Sequence, residues 1–385
     1  MKNNNEKLIV FTAYATIGML GVYLTLSQYT ILNITRFFLP DITMMGVLIS
    51  VQSLGMCISP LILGGLSTRI GKRKVLLIAY LLIIIGTLIT GTTSYLAFFI
   101  AAAFLTGAGF SVIEATLSAV LADEFPLSAV RHLNFSQVAF SVGALSGPVI
   151  AERLIDSGVF FKDIYSYCAI IFVLLGIAFF FTKQRNDTTG KKAGDAVPNI
   201  FSLLKNKVFL LPAICVFIYV GVENTTANFS GSYFEIILNA PKLSAAALSL
   251  FWGAMIPSRL LAGILKISLK KIFIICSGIV FVSISGVILI PWDTAKIAMF
   301  ALCGFGCGPL WPLLMNMAAE KSPDSSSLAM NTMLVFSATG AVVFPLLSGE
   351  LVNLTSQTEV YYLCAAAAVV LLVMYLRSAK ENRIN

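Results

Sequence analysis

The sequence predicts an all-α integral membrane protein with twelve transmembrane helices in two six-helix halves, and three observations support this fold class. First, 58% of the 385 residues are hydrophobic and 11% are charged, whereas soluble domains average about 45–50% apolar and about 25% charged residues. Second, the apolar residues form twelve blocks of roughly 20 residues, the length that a helix needs to cross a bilayer. Third, one long polar stretch separates the blocks into two groups of six.

Each apolar block is predicted to be a helix, because a bilayer core satisfies no backbone hydrogen bonds. The first block follows MKNNNEK without a small-residue cleavage site, so we interpret it as a retained helix and not as a signal peptide. In chain order, the blocks run at 8–34, 42–67, 74–93, 95–122, 133–155, 163–182, 208–233, 243–265, 271–291, 294–319, 328–352 and 359–376.

The polar stretch at 183–207 is predicted to be a cytoplasmic linker between an N-terminal half at 1–182 and a C-terminal half at 208–385. The halves are related, because residues 107–154 align without a gap to 304–351 with twelve identities in 48 positions. The identities include glycines, an asparagine and the pairs Pro126/Pro323 and Pro148/Pro345. Two copies of six helices predict parallel repeats with a substrate site between them at the middle of the membrane.

The net charge of +8 is interpreted as a topology signal and not as a nucleic-acid footprint. With the N-terminus inside, the alternation of the blocks assigns 20 of the 26 Lys and Arg residues to the cytoplasmic side, as the positive-inside rule requires. We therefore predict a multi-pass protein of the cell inner (plasma) membrane, with the lipid bilayer as its surroundings, both termini in the cytoplasm and no nucleic-acid partner.

The sequence offers no catalytic or metal-binding constellation. The seven cysteines are scattered in or beside apolar blocks, which is typical of buried small apolar side chains. His132 is the only histidine, so a multi-histidine metal site is excluded. There is no P-loop and no G-x-G-x-x-G ahead of a helix. We predict no cofactor, no metal and no enzyme activity.

The segment GGLSTRIGKRK at 64–74 resembles the loop 2–3 signature of the major facilitator superfamily, G-x-x-x-D-R-x-G-x-R-R. Thr68 stands in place of the signature acid, and the matching positions are Gly64, Arg69, Gly71, Arg73 and Lys74. Together with the twelve spans and the duplication, the resemblance covers essentially the whole chain. It implies that helices one, four, seven and ten line a central cavity. We interpret the signature segment as a gating and anchoring element.

Four further segments resemble the fucose–galactose–proton symporter branch, which implies sugar uptake driven by protons. They are FIYVGVE, LFWGAMIPSRLLAG, GFGCGPLWP and LNFSQVAFSVGALSGP. Glu114 and Gln137 fall where that branch has sugar- and proton-handling residues. The acid that the branch carries in helix one has no counterpart here, and Phe140 stands where the branch has an asparagine. Uniport is therefore open beside symport.

Helix seven carries a polar face at a depth where apolar residues are expected. Glu223 lies about nine residues from the outer end, roughly 14 Å at 1.5 Å per residue, near the middle of a core about 30 Å thick. Asn224 and Asn228 form a neighbouring stripe. The main face steps by four and three residues through Tyr219, Glu223, Thr226, Ser230 and Tyr233. We interpret the segment as the wall of a buried aqueous cavity, with polar contacts between helices as the alternative.

Glu114 and Glu223 are the candidates for proton coupling, Glu114 first because the family resemblance supports it; a salt bridge or a direct substrate contact is the alternative. Gln28 is a further candidate for substrate binding on helix one. Trp311 takes the place of Glu114 in the repeat, where it either stacks on a sugar or packs in the core. Arg259 is interpreted as the partner of a buried acid, as a gate, or as a side chain that reaches the interface. The prolines of GPLWP are expected to bend helix ten.

The leading hypothesis is proton-coupled symport of a sugar or a similar small polar solute by alternating access, in a monomeric protein. The alternative is a proton-coupled efflux antiporter for a drug or a metabolite. The segment GALSGP at 143–148 resembles an antiporter motif and favours export, whereas AAAFLTGAGF lacks the arginine that such antiporters usually carry in helix four. A receptor or scaffold that does not transport is the third interpretation.

Overall fold

The computed structural model describes residues 2–38, 43–182, 207–265, 267–320 and 326–381. Every regular element in these ranges is helical, and all twelve predicted helices are present. They are α1 Lys2–Phe38, α2 Thr43–Ile70, α3 Lys72–Thr92, α4 Leu96–Glu124, α5 Ala129–Asp156, α6 Phe161–Phe180, α7 Lys207–Ser232, α8 Pro241–Ile264, α9 Leu269–Leu289, α10 in two segments Asp293–Cys307 and Leu310–Glu320, α11 Ser326–Leu354 and α12 Thr358–Glu381.

Two short turns adjoin these helices: a 3₁₀ turn at Pro126–Ser128 precedes α5, and a π-helical turn at Tyr233–Ile237 continues α7. Eleven of the helices are long and apolar enough to cross a membrane. The twelfth, α2, contributes a shorter apolar stretch at Met44–Pro60. The predicted linker at 183–207 lies outside the described residues except for Lys207, where α7 begins.

The helices belong to two compact units. The N-terminal unit holds α1, α2 from Val51 onward, and α3 to α6. The C-terminal unit holds α7 to α12 together with α2 up to Ser50. The hydroxyl of Ser50 donates a 2.7 Å hydrogen bond to the carbonyl oxygen of Val342 on α11, which explains why the start of α2 belongs to this unit. The two halves predicted from the linker remain a prediction.

Matching glycines bring matching helices into backbone contact in each unit. In the N-terminal unit, a Cβ added at Gly107 of α4 would lie less than 3.0 Å from the carbonyl oxygen of Gln52 on α2. In the C-terminal unit, a Cβ at Gly304 of α10 would meet the carbonyl oxygen of Phe251 on α8 equally closely. Gly107 and Gly304 are aligned with each other in the internal repeat. The two units therefore use the same repeat position for an equivalent helix contact.

A second pair of repeat-matched glycines acts in the same way on other helices. A Cβ at Gly143 of α5 would lie less than 3.0 Å from the carbonyl oxygen of Gly18 on α1. A Cβ at Gly340 of α11 would lie equally close to the carbonyl oxygen of Phe217 on α7. Each unit therefore packs its candidate cavity helix, α1 or α7, directly against a neighbour through a position that admits no side chain.

Candidate functional site

The polar segment of α7 satisfies its amides partly within its own helix. The side-chain nitrogen of Asn224 donates to the carbonyl oxygen of Val220 at 3.1 Å, and that of Asn228 donates to the carbonyl oxygen of Asn224 at 2.7 Å. Asn and Ser side chains compete for backbone acceptors in this way. The arrangement gives each amide nitrogen one backbone acceptor within its own helix.

Glu223 is the buried acid of the C-terminal unit, with 8% of its surface exposed. Tyr219 lies one helical turn earlier, and its hydroxyl donates a 2.5 Å hydrogen bond to Oε1 of Glu223. Residues four apart share a helix face, so this contact follows directly from the spacing. The positive charge of Arg259 on α8 also acts on the Glu223 carboxylate. Side chains of α7 and α8 thus both influence this carboxyl group.

Arg259 binds the backbone of α10 at the point where the helix is interrupted. Its Nε donates a 3.1 Å hydrogen bond to the carbonyl oxygen of Gly308. In a continuous helix this oxygen would accept from the backbone N–H of residue 312, but Pro312 has none. The regular helix is interrupted between Cys307 and Leu310, within the GPLWP segment, and the bend expected from the prolines stays a prediction. None of the three interpretations of Arg259 anticipated that it would replace a missing helix donor.

The other predicted residues of the C-terminal unit occupy the same helices. Thr226 lies on α7 and is 1% exposed. Trp311 is half-buried in the second segment of α10, which packs against α7. The structure therefore brings the elements of Tyr219, Thr226 and Trp311 together, while the roles of these side chains in binding remain predictions.

In the N-terminal unit, the predicted polar residues lie on three helices that pack against one another. Gln28 on α1 is 2% exposed. Glu114 on α4 is half-buried, and Gln137 on α5 is exposed. The close approach of α1 to α5 at Gly143 places the helices of Gln28 and Gln137 side by side. The proton and substrate roles assigned to these residues remain predictions.

The signature segment at 64–74 is helical at both ends and not a loop. Helix α2 continues to Ile70, so it contains Gly64 and Arg69, and α3 begins at Lys72. Gly71 alone separates them, and its φ of 88° lies in the left-handed region that favours glycine. A terminal nitrogen of Arg73 donates to the carbonyl oxygen of Phe180 at 2.6 Å and so ties α3 to the end of α6. The gating role of these residues remains a prediction.

Sequence analysis missed a buried lysine. Lys296 is 6% exposed in the first turn of α10. Its ammonium group donates a 2.9 Å hydrogen bond to the hydroxyl of Tyr233, which donates to the carbonyl oxygen of Val287 at 3.1 Å. No spacing within one helix signals this contact, because it joins three helices. Among the described residues, no cluster of His, Cys, Asp or Glu has the composition of a metal site.

The twelve-helix fold and its repeated helix contacts define a class of membrane transporter. A family model described as Major Facilitator Superfamily matches residues 8–300 and 266–384. The chain therefore belongs to the major facilitator superfamily, as the signature segment predicted. It is a multi-pass membrane transporter and not an enzyme.

Three relatives are similar over most of the chain. The glucose/mannose transporter GlcP of Bacillus subtilis (strain 168) is 24% identical over 277 residues, which cover 69% of this chain and 67% of that protein. The TsgA homolog of Buchnera aphidicola subsp. Baizongia pistaciae is 23% identical over 368 residues, 91% of this chain and 90% of that protein. A putative glucose/galactose transporter of Helicobacter pylori (strain ATCC 700392 / 26695) is 25% identical over 309 residues, 72% of each chain.

Two solved structures share the fold. The nucleoside transporter NupG has a TM-score of 0.82 with 12% sequence identity, and the match covers 97% of this chain and 99% of that chain. The Escherichia coli fucose:proton symporter FucP has a TM-score of 0.67 with 14% identity, covering 95% of this chain and 97% of that chain.

Proposed function

We propose that this protein is a secondary active transporter that takes up a sugar, or a similar small polar solute, together with a proton by alternating access. One observation carries the proposal: α7 of a major facilitator superfamily chain places the Tyr219–Glu223 pair beside a stripe of amides. The names of the curated relatives support a hexose, because two of the proteins reported above are described as glucose/mannose and glucose/galactose transporters.

The polar stripe has the chemistry that sugar recognition needs. Each amide offers both a donor and an acceptor, and sugar hydroxyl groups also both donate and accept. We assign substrate binding to Tyr219, Thr226 and the two amides of α7, Asn224 and Asn228. An aromatic ring binds the apolar face of a sugar ring, and we assign this role to Trp311.

In the N-terminal unit, we assign substrate binding to the amides of Gln28 and Gln137. Their helices, α1 and α5, are in backbone contact. The gating role is assigned to Arg259 and to the signature residues Gly64, Arg69, Gly71 and Arg73.

Proton coupling is assigned to Glu114 first and Glu223 second. Burial in apolar surroundings penalises the charged form of a carboxyl group, so its protonation changes when those surroundings change. Glu114 is half-buried on α4, and Glu223 is 8% exposed on α7. A conformational change that alters the access of water to either carboxyl group would therefore also alter the protonation of that group. Proton coupling requires this link between conformation and protonation.

The proposal is tested with purified protein in liposomes that contain a pH-sensitive dye. Monosaccharides, polyols and cationic dyes are added outside, one at a time. Acidification of the lumen on addition of one sugar is the expected result, and it also names the substrate class. Protons that move outward in response to a cationic dye would indicate exchange and overturn symport. No sugar response from active protein would overturn sugar symport as well.

The role of Glu114 is tested separately with the Glu114→Gln variant. We expect it to lose uphill accumulation of the solute while it keeps exchange of preloaded solute, because exchange needs no net proton movement. Asp156→Asn, at the end of α5, is the matched control that removes an acid outside the candidate cavity. Undiminished accumulation by Glu114→Gln would remove the proton role from this residue.

Export remains the alternative function, but the structure supplies a packing reason for its motif. A Cβ at Gly143 or at Gly147 would lie less than 3.0 Å from backbone atoms of α1. Helix packing in the N-terminal unit therefore explains both glycines of GALSGP, and this explanation does not depend on the direction of transport. The liposome assay distinguishes import from export. The proposed topology, a monomer in the inner (plasma) membrane with both termini in the cytoplasm, is tested by protease access to terminal tags and by the mass of the purified particle.

A further inference from the structure

The interruption of α10 opens a cavity inside the C-terminal unit. Before the break, α8 and α10 are in backbone contact, because a Cβ at Gly304 would lie less than 3.0 Å from the carbonyl oxygen of Phe251. After Pro309 the second segment of α10 leaves α8, and a cavity of about 290 Å³ lies between α8, the start of α9 and this segment. Its volume is near the lower end of the range of about 300–1,000 Å³ that is typical of ligand pockets.

One side of this cavity is apolar. It is lined by Leu269 and Ile272 from the first turn of α9 and by Pro312 and Leu313 from the second segment of α10, which also contributes the polar Asn316. Gly263 of α8 completes the wall, and a Cβ at this position would meet no atom within 4 Å. An apolar wall of this kind suits a hydrocarbon group rather than a hydrated ion.

The other side of the cavity is positively charged. Arg259 lines it and uses one of its five N–H groups for the carbonyl oxygen of Gly308. A terminal nitrogen lies 3.8 Å from the sulfur of Met255, which is a weak acceptor, so donors remain for a ligand. Helix α9 begins beside the cavity with Lys270 and Lys271 in its first turn. A helix N-terminus adds a partial positive charge that attracts anions.

We propose that this cavity binds the phosphate headgroup of an anionic phospholipid, with the adjoining carbons of the lipid along Leu269, Ile272 and Leu313. The guanidinium fork of Arg259 matches the geometry of a phosphate. The predicted topology places the connection between α8 and α9 at the cytoplasmic leaflet, where anionic lipids interact with basic pockets between membrane helices. A soluble phosphate is also an anion, but it would leave the apolar wall of the cavity uncovered.

The test uses the full chain, purified in a neutral detergent, and native mass spectrometry. Phosphatidylglycerol and phosphatidylcholine of equal chain length are titrated in parallel. We expect one phosphatidylglycerol to be retained saturably, with at least tenfold preference over phosphatidylcholine. Gly263→Leu fills the cavity and is expected to lower this retention at least tenfold. Gly278→Leu is the matched control, because a Cβ at Gly278 also meets no atom within 4 Å, on α9 outside the cavity lining.

Three results would overturn the assignment. The first is equal retention of the two lipids, and the second is equal phosphatidylglycerol binding by Gly263→Leu and Gly278→Leu. The third is that glycerol 3-phosphate displaces the bound lipid as effectively as phosphatidylglycerol does at the same concentration. This result would assign the site to a soluble phosphate. Because retention is measured without transport, its failure leaves the proposed symport untouched.

Discussion

Replacing Pro312 by alanine is expected to make the Arg259 side chain dispensable for the stability of α10. In the native chain, the carbonyl oxygen of Gly308 is buried and accepts its hydrogen bond from Nε of Arg259 at 3.1 Å. It does so because Pro312 cannot donate. Alanine at position 312 restores a backbone N–H four residues after Gly308, where a helix places its regular donor.

The magnitude follows from the environment of this oxygen. A hydrogen bond from a charged donor contributes about 1.5–3 kcal/mol, and a buried carbonyl group left without a partner costs about 1–3 kcal/mol. Arg259→Leu is therefore expected to lower the free energy of unfolding by about 2 kcal/mol in the native background. In the Pro312→Ala background the loss is expected to fall below about 1 kcal/mol, since the new N–H satisfies the same oxygen.

The measurement is a double-mutant cycle of unfolding in mixed detergent micelles with increasing dodecyl sulfate, followed by tryptophan fluorescence. Lys242→Leu is the control, because it removes an exposed cation from the same helix α8. Lys242→Leu is expected to change the free energy of unfolding by the same amount with Pro312 and with Ala at position 312. An equal cost of Arg259→Leu with and without Pro312 would refute the reasoning, because the arginine would then stabilise the unit through some contact other than the Gly308 carbonyl.

Three further substitutions test other contacts. Tyr219→Phe removes the donor to the buried carboxyl group and is expected to reduce proton-driven accumulation about tenfold or more, because a charged hydrogen bond is worth about 1.5–3 kcal/mol; unchanged accumulation in liposomes would contradict this. Lys296→Met is expected to lower the free energy of unfolding by about 1–2 kcal/mol, because it removes the hydrogen bond to Tyr233. An unchanged midpoint in the detergent titration would contradict this prediction. Gly304→Ala is expected to lower the free energy of unfolding by about 1–3 kcal/mol through overpacking, and Gly278→Ala by far less. An equal loss for both variants would contradict the close contact at Gly304.

The number and order of the helices were predictable because a bilayer demands apolar segments of one length. The ends of the helices were less predictable. Helix α2 reaches Ile70 and α3 starts at Lys72, whereas the apolar blocks end at 67 and begin at 74. Hydropathy marks the thickness of the bilayer, and a helix continues into polar residues wherever its backbone can. Gly71 ends this continuation because its backbone turns into the left-handed region.

The candidate site was predictable where its contacts are local. The spacing of four residues between Tyr219 and Glu223 places both on one face, and the structure joins them by a hydrogen bond. Contacts between helices carry no such signal. The bond from Arg259 to the Gly308 carbonyl oxygen spans 49 positions in the sequence. Pro312, four residues after Gly308, leaves that oxygen without its helical donor, but only the three-dimensional fold shows that Arg259 supplies a donor instead.

The two repeats share the glycines at close helix contacts but not the acids. The physical reason is that a close helix contact accepts no side chain, whereas a half-buried position accepts many different side chains. Gly107 and Gly304 each face a backbone carbonyl oxygen that leaves no room for a Cβ, so any other residue would force two helices apart. A half-buried position such as Glu114 requires only that its side chain be accommodated, and its repeat counterpart is Trp311. The C-terminal unit instead carries its buried acid on α7, at Glu223. A search for the second buried acid by symmetry would therefore arrive at a tryptophan, whereas the helix periodicity of α7 leads directly to Glu223.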